Sequence, residues 1–184
     1  QRPSDWLPMP SVGASEEMFI GLHGVWESAN NPCALLCNGT GAGYTVDWGD
    51  GTVTNYAFNV KAERNFDYSS ISLDTLSSRC YKQVIVKVYP RSGATITLIS
   101  LNQRHTSYAY AYMSGWLELK DNFSNTNQSY REGTINMGMV EQISIKYYKG
   151  GVYDYQQFNM TNLKVLNIAA MNPAFNFNFL FGSS

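Results

Sequence analysis

The stretch Tyr44-Thr-Val-Asp-Trp-Gly-Asp-Gly-Thr52 constrains this chain more than any other. Tyr44 to Trp48 alternates apolar and polar side chains, the period of a strand with one buried face. The pattern breaks at Gly49-Asp50-Gly51, where two glycines admit the positive φ that a tight reversal demands. It restarts at Thr52, so Tyr44 to Asp50 and Thr52 to Phe58 read as the two arms of a hairpin. Composition supports a β-rich chain. Charged residues are 15% of the 184, while 13 tyrosines and 9 phenylalanines favour strands. That length can bury a real core as one large domain or two small ones.

Further strands flank the hairpin. Phe19 to Trp26 alternates, with Phe19, Gly21, His23 and Val25 on one face. Ala34 to Cys37 is short and apolar and suits a buried strand. Asn38 to Gly43 holds three glycines in six residues and reads as a loop. It has no Gly-Lys-Ser/Thr and precedes a strand, which excludes a phosphate-binding P-loop. Ser69 to Arg79 is a Ser-rich insertion, Tyr81 to Tyr89 a long strand, Pro90 to Gly93 a turn, and Ala94 to Leu101 a further strand.

The Trp48-Gly-Asp-Gly51 turn, followed by Tyr81-Lys-Gln-Val-Ile-Val-Lys-Val-Tyr89, resembles the PKD-type immunoglobulin-like module. That family sets such a turn between two strands and follows it with a valine-rich strand. The resemblance spans Met18 to Pro90 and implies an immunoglobulin-like β-sandwich over 18–101. Where the family carries an aromatic turn, this chain has Arg64-Asn65-Phe66 within Lys61 to Tyr68.

Two other regions complete the organisation. Residues 1–17 are an extended connector, since Pro3, Pro8 and Pro10 exclude a long helix. Ser15-Glu16-Glu17 suits a single helical turn, and Trp6 is expected to pin the connector against the body or a neighbouring subunit. Gln1 to Trp6 has neither a signal-peptide core nor an initiator Met, which predicts a processed chain or part of a longer one. Residues 102–184 form a β-rich second region. In it, Val140 to Lys146 and Leu163 to Ala169 share an apolar pattern at an offset of about 23 residues. Trp116 to Lys120 matches less closely, at an offset of about 26, and Asp121 to Gly133 reads as a polar loop. Such periods suit a leucine-rich solenoid with one strand per rung, or three ordinary strands. Phe177, Phe179 and Phe181 are too apolar for a free tail and are expected to dock on a further repeat or a partner subunit.

Chemistry-bearing residues are few. Neither His23 nor His105 has a local carboxylate partner, and the nucleophile elbow Gly-x-Ser-x-Gly is absent, so no enzyme is expected. Asp47 and Asp50 could ligate Ca2+ through hard oxygens, or fix the turn through its amides. The family resemblance supports the turn role, and no metal or other cofactor is expected. Cys33 and Cys37 fall on one strand face roughly 13 Å apart, too far for a mutual disulfide. Buried thiols are the expectation, with a bridge to Cys80 the alternative. Asn38, Asn122, Asn127 and Asn159 head N-glycosylation patterns, as a chain rich in Asn, Ser and Thr produces by chance. Tyr108, Tyr110 and Tyr112 on one face of His105 to Met113, with Trp116 and Tyr147-Tyr148, form a candidate surface for a sugar or a protein. Ordinary strand aromatics are the alternative.

A net charge of −1 argues against a broad grip on nucleic acid. No apolar run approaches the length that a membrane-spanning helix needs. The Pro-pinned connector, WGDG hairpin and repeat-like tail together resemble the tail-fibre, receptor-binding and decoration proteins of tailed bacteriophages. The resemblance implies a non-enzymatic virion component. Its partners would be other virion proteins or copies of itself, with a host glycan or protein as target. The alternative is a secreted or cell-surface bacterial adhesin or carbohydrate-binding module.

Overall fold

The computed structural model describes residues 1–27, 29–108, 114–129, 137–149 and 161–170. The protein is mainly β, with two sheets. Its strands are β1 (Phe19–Val25), β2 (Pro32–Thr40), β3 (Tyr44–Asp47), β4 (Val53–Tyr56), β5 (Lys61–Asn65), β6 (Lys82–Pro90), β7 (Thr95–Ser100), β8 (Trp116–Asp121), β9 (Asn127–Ser129), β10 (Gln142–Ile145) and β11 (Val165–Ile168). One sheet runs β11-β10-β8-β1-β6-β3-β4 and the other β5-β2-β7-β9. Among the described residues the helices are three-residue 3-10 turns.

Alternation in the strands builds one core shared by both sheets. Val84, Val86 and Val88 of β6 and Tyr44 and Val46 of β3 meet Cys33, Leu35 and Cys37 of β2 and Ile96 and Ile99 of β7. Each large apolar side chain so buried contributes about 1.5–3 kcal/mol. Cys33 and Cys37 are buried free thiols whose desolvation pushes their pKa up, and Cys80 is exposed and also free.

β8 lies antiparallel to β1, and a register shift at Leu22/His23 makes a bulge. Opposite His23 stands Trp116 and opposite Leu22 stands Glu118, which leaves Leu117 over. Trp116 and Leu119 therefore enter the main core, while Leu117 joins a second cluster with Trp6, Leu22 and Tyr81. Gly21 makes this packing possible. A Cβ there would lie 2.3 Å from the Trp116 ring.

The second cluster is covered by the N-terminal connector. The Trp6 indole N–H donates to the Tyr81 hydroxyl at 2.7 Å, and Trp6 is buried. The Leu7 amide donates to Gln83 Oε1, whose Nε2 donates back to the Asp5 carbonyl, both at 2.9 Å. Arg2 pairs with Glu118 at 2.8 Å. Lys120 and Lys146 donate to the carbonyls of Pro10 and Ala14. The prolines keep the segment extended, and the sheet's polar side chains satisfy its backbone.

Beyond β8 the sheet continues in parallel. Glu118 stands opposite Gln142, and Gln142 opposite Val165, so successive parallel strands recur at a nearly constant spacing, within the range of solenoid rungs. Glu141 joins successive strands, pairing with Arg79 at 2.5 Å and Lys164 at 2.8 Å. Burial alone would raise its pKa, but hydrogen bonds from Lys164 and Arg79 outweigh that and hold the carboxyl below its ordinary value.

Several local expectations change. The Asn38 to Gly43 loop shrinks, because β2 runs on to Thr40 against β7. Gly39 permits it: a Cβ would sit 2.0 Å from the Thr95 carbonyl oxygen. The segment that stands where the family carries an aromatic turn supplies β5, paired to β2. The polar stretch after Asp121 contains β9, parallel to β7 and anchored by buried Gln128, which donates to the Tyr147 carbonyl at 3.0 Å. Thr106–Tyr108 is a 3-10 turn where alternation predicts a strand, and the rest of that stretch, 109–113, lies outside the described residues. Strands on both sides of residue 101 share the same two sheets.

Candidate functional site

The turn residues have structural partners. Trp48 is buried, edge-on to Phe66 at 6.2 Å. Its amide donates to the Thr52 carbonyl at 2.9 Å, closing the loop. Asp47 Oδ1 accepts the Gly49 amide and Asp50 Oδ1 the Thr52 amide, each at 3.0 Å. The second oxygens meet cations. Asp47 faces Lys87 at 3.4 Å, and Asp50, with its side chain 2% exposed, faces Arg64 at 2.6 Å. Arg64 also donates to the Thr52 hydroxyl at 2.9 Å. Both carboxylates are thus hydrogen-bonded and charge-paired within the chain. Among the described residues no group of three His, Cys, Asp or Glu could hold a metal ion.

The aromatic surface is divided. Tyr108 is half-buried, its hydroxyl accepting from Asn65 at 3.2 Å, with its ring 5.0 Å from His105. Trp116 is 1% exposed and sits in the core, edge-on to Phe19 at 5.8 Å, so it presents no face to a ligand. Tyr110, Tyr112, Phe177, Phe179 and Phe181 lie outside the described residues.

A different constellation forms at the end of β1. There a cavity of about 340 Å3 is lined by His23, Trp26, Asn31, Pro32, Ser114 and Met139, among others. Four parts of the chain build it. β1 delivers His23, and the loop to β2 and the first residue of β2 deliver Trp26, Asn31 and Pro32. The segment entering β8 delivers Ser114 and Gly115, and the turn before β10 delivers Met139. The Gly24 amide ties β1 to the segment entering β8 through the Gly115 carbonyl at 2.8 Å. Asn31 braces the loop: its side chain accepts the Trp26 amide at 2.8 Å and donates to the Trp26 and Ala29 carbonyls, each at 3.0 Å.

His23 is 1% exposed, its ring 5.1 Å from both Phe66 and Trp116. Among the described residues, neither ring nitrogen has a well-aligned hydrogen-bond partner, nor does the buried Ser114 hydroxyl. Burial lowers the imidazole pKa from 6.5 to about 4, against a weaker upward pull from the Gly24 backbone. The ring is therefore neutral near pH 7, one nitrogen donating and the other accepting. His23 was legible only as a polar residue on an apolar strand. Ser114 and Met139 carry no sequence signal, because long-range strand pairing brings them there, Ser114 through β1–β8 and Met139 through β8–β10.

Two outcomes follow from these geometries. Gly49 has φ 75° and a Cβ there would lie 2.3 Å from the Ile85 carbonyl oxygen, whereas Gly51, at φ 88°, has nothing within 4 Å. Gly51→Ala should cost about 1 kcal/mol in urea denaturation and Gly49→Ala about 3 kcal/mol or more. Equal costs would contradict the close approach. For His23, both folded and unfolded chains are neutral above pH 6.5. Between 6.5 and about 4 the unfolded chain binds a proton that the folded chain excludes. Stability should fall as pH drops through that window, by on the order of 3 kcal/mol in total. His23→Leu should flatten the decline between about pH 7 and 5 in the same assay; an unchanged slope would contradict the burial. No protein-family model, curated protein or solved structure matches the chain.

Proposed function

We propose that this chain is a non-enzymatic structural and adhesion component of a tailed-bacteriophage particle. In this reading a PKD-type immunoglobulin-like sandwich carries a short leucine-rich-like extension, and both docking and recognition rest on shape and aromatic contacts. The observation that supports it is the order of strands in one sheet: a WGDG hairpin at one side, and at the other parallel strands that recur in register through Glu118, Gln142 and Val165. Its partners are other virion proteins or copies of itself. The small net charge favours this over a polyanion-binding role.

The second reading is a secreted or cell-surface bacterial adhesin or carbohydrate-binding module. The cavity beside Trp26, where His23 and Ser114 have no well-aligned hydrogen-bond partner among the described residues, favours it. Peptide mass spectrometry on gradient-purified particles, with culture supernatant and cell envelope as controls, separates the two. Enrichment at a fixed copy number per particle is expected. Recovery only from envelope or supernatant would overturn the particle reading and select the adhesin.

A further inference from the structure

We propose that the cavity at the end of β1 binds an uncharged hydroxylated ring, a neutral sugar residue, hydrogen-bonded by His23 and Ser114 beside Trp26. This names a ligand for the adhesin reading, yet binding by the purified chain does not depend on where the chain resides. A particle result and a sugar result can therefore fail separately.

Three properties of the site specify the ligand. The first is unmet hydrogen-bonding capacity. Two ring nitrogens and a hydroxyl are buried at the cavity with no well-aligned hydrogen-bond partner among the described residues. The imidazole meets only the weaker pull of the Gly24 backbone. Such burial costs free energy unless water or a ligand completes the bonding. A neutral imidazole offers one donor and one acceptor, and a serine hydroxyl offers both. Sugar hydroxyls also do both, so they can match either tautomer. The second is the absence of charge. Among the described residues no Asp, Glu, Lys or Arg lines the cavity, so an ionic ligand would enter without a counter-charge. The third is shape. About 340 Å3 is at the small end for ligand sites and suits a single ring. Trp26, Pro32 and Met139 provide the apolar wall for its C–H face.

The site is also held in place. His23 is wedged by Phe66, Trp116 and Gly115, where a Cβ on Gly115 would lie 2.3 Å from the imidazole Cε1. Asn31 spends its own side chain bracing the loop and leaves recognition to its neighbours. Polar groups so fixed keep their orientation, and because they are almost sealed from solvent a ligand reaches them only as the cavity wall opens slightly.

The test is a nitrogen-15 NMR titration of the whole chain. One arm uses free glucose, galactose and N-acetylglucosamine; the other uses soluble neutral polysaccharides of the same sugars. Saturable shifts at the His23 imidazole, the Trp26 indole and the Ser114 amide, in either arm, are expected. Ser114→Ala removes a hydroxyl that has no well-aligned partner among the described residues, so its denaturation midpoint should match or exceed the parent's while affinity falls about tenfold. Glucuronate, a sugar ring bearing a carboxylate, should bind about tenfold or more below glucose. The proposal is overturned if neither arm shifts these resonances, which would leave the cavity to water alone. Shifts confined to other residues, equal binding by folded Ser114→Ala, or glucuronate binding as well as glucose would also overturn it.

Discussion

β1 is hydrogen-bonded along both edges, to β6 on one side and to β8 on the other, and the β8 side carries a bulge. Most of what distinguishes the molecule depends on that register. It places the Trp116 ring over Gly21, where no side chain could fit. It turns Leu117 outward, giving the N-terminal connector an apolar surface on which Trp6 and Tyr81 close. It brings Ser114 and Gly115 to His23, and it orients β8 so that β10 and β11 can add in parallel. Slipping this pairing by one residue would exchange the inner and outer faces of β8 and lose all of these together.

The same constraint explains where polar groups tolerate burial. Asp50 and Glu141 are nearly inaccessible, but each meets guanidinium or ammonium partners, and Gln83 satisfies its amide through the connector. His23 and Ser114 differ, being buried with no well-aligned hydrogen-bond partner among the described residues, in a cavity that no described charged residue lines. Asn38 Oδ1 is also buried without a well-aligned partner, but only at His23 and Ser114 does unmet capacity coincide with this cavity, which marks that end of the sheets as a place for a ligand.

Local patterns were legible in the sequence; long-range pairings were not. The WGDG hairpin could be read because its turn chemistry is complete between Tyr44 and Thr52. The valines of β6 declared a buried face by alternation alone, and the spacing of Val140 to Lys146 and Leu163 to Ala169 anticipated two strands that pair in parallel. Gly39 misled, because its glycine serves close approach to β7 and not a loop. β9 has almost no apolar signal, since Gln128 is held by hydrogen bonds to Tyr147 and Lys149, far along the chain. The cavity was invisible for the same reason: His23 and Ser114 meet only through the β1–β8 register.

The most direct test of this account is amide hydrogen exchange across the β1–β8–β10 ladder. If one register holds the sheet together, amides of Trp116–Asp121 and Gln142–Ile145 should open only with those of β1 and β6, at the global unfolding free energy. Their opening as a separate unit of clearly lower stability, with β1 and β6 still protected, would contradict it and place an independent domain after residue 101.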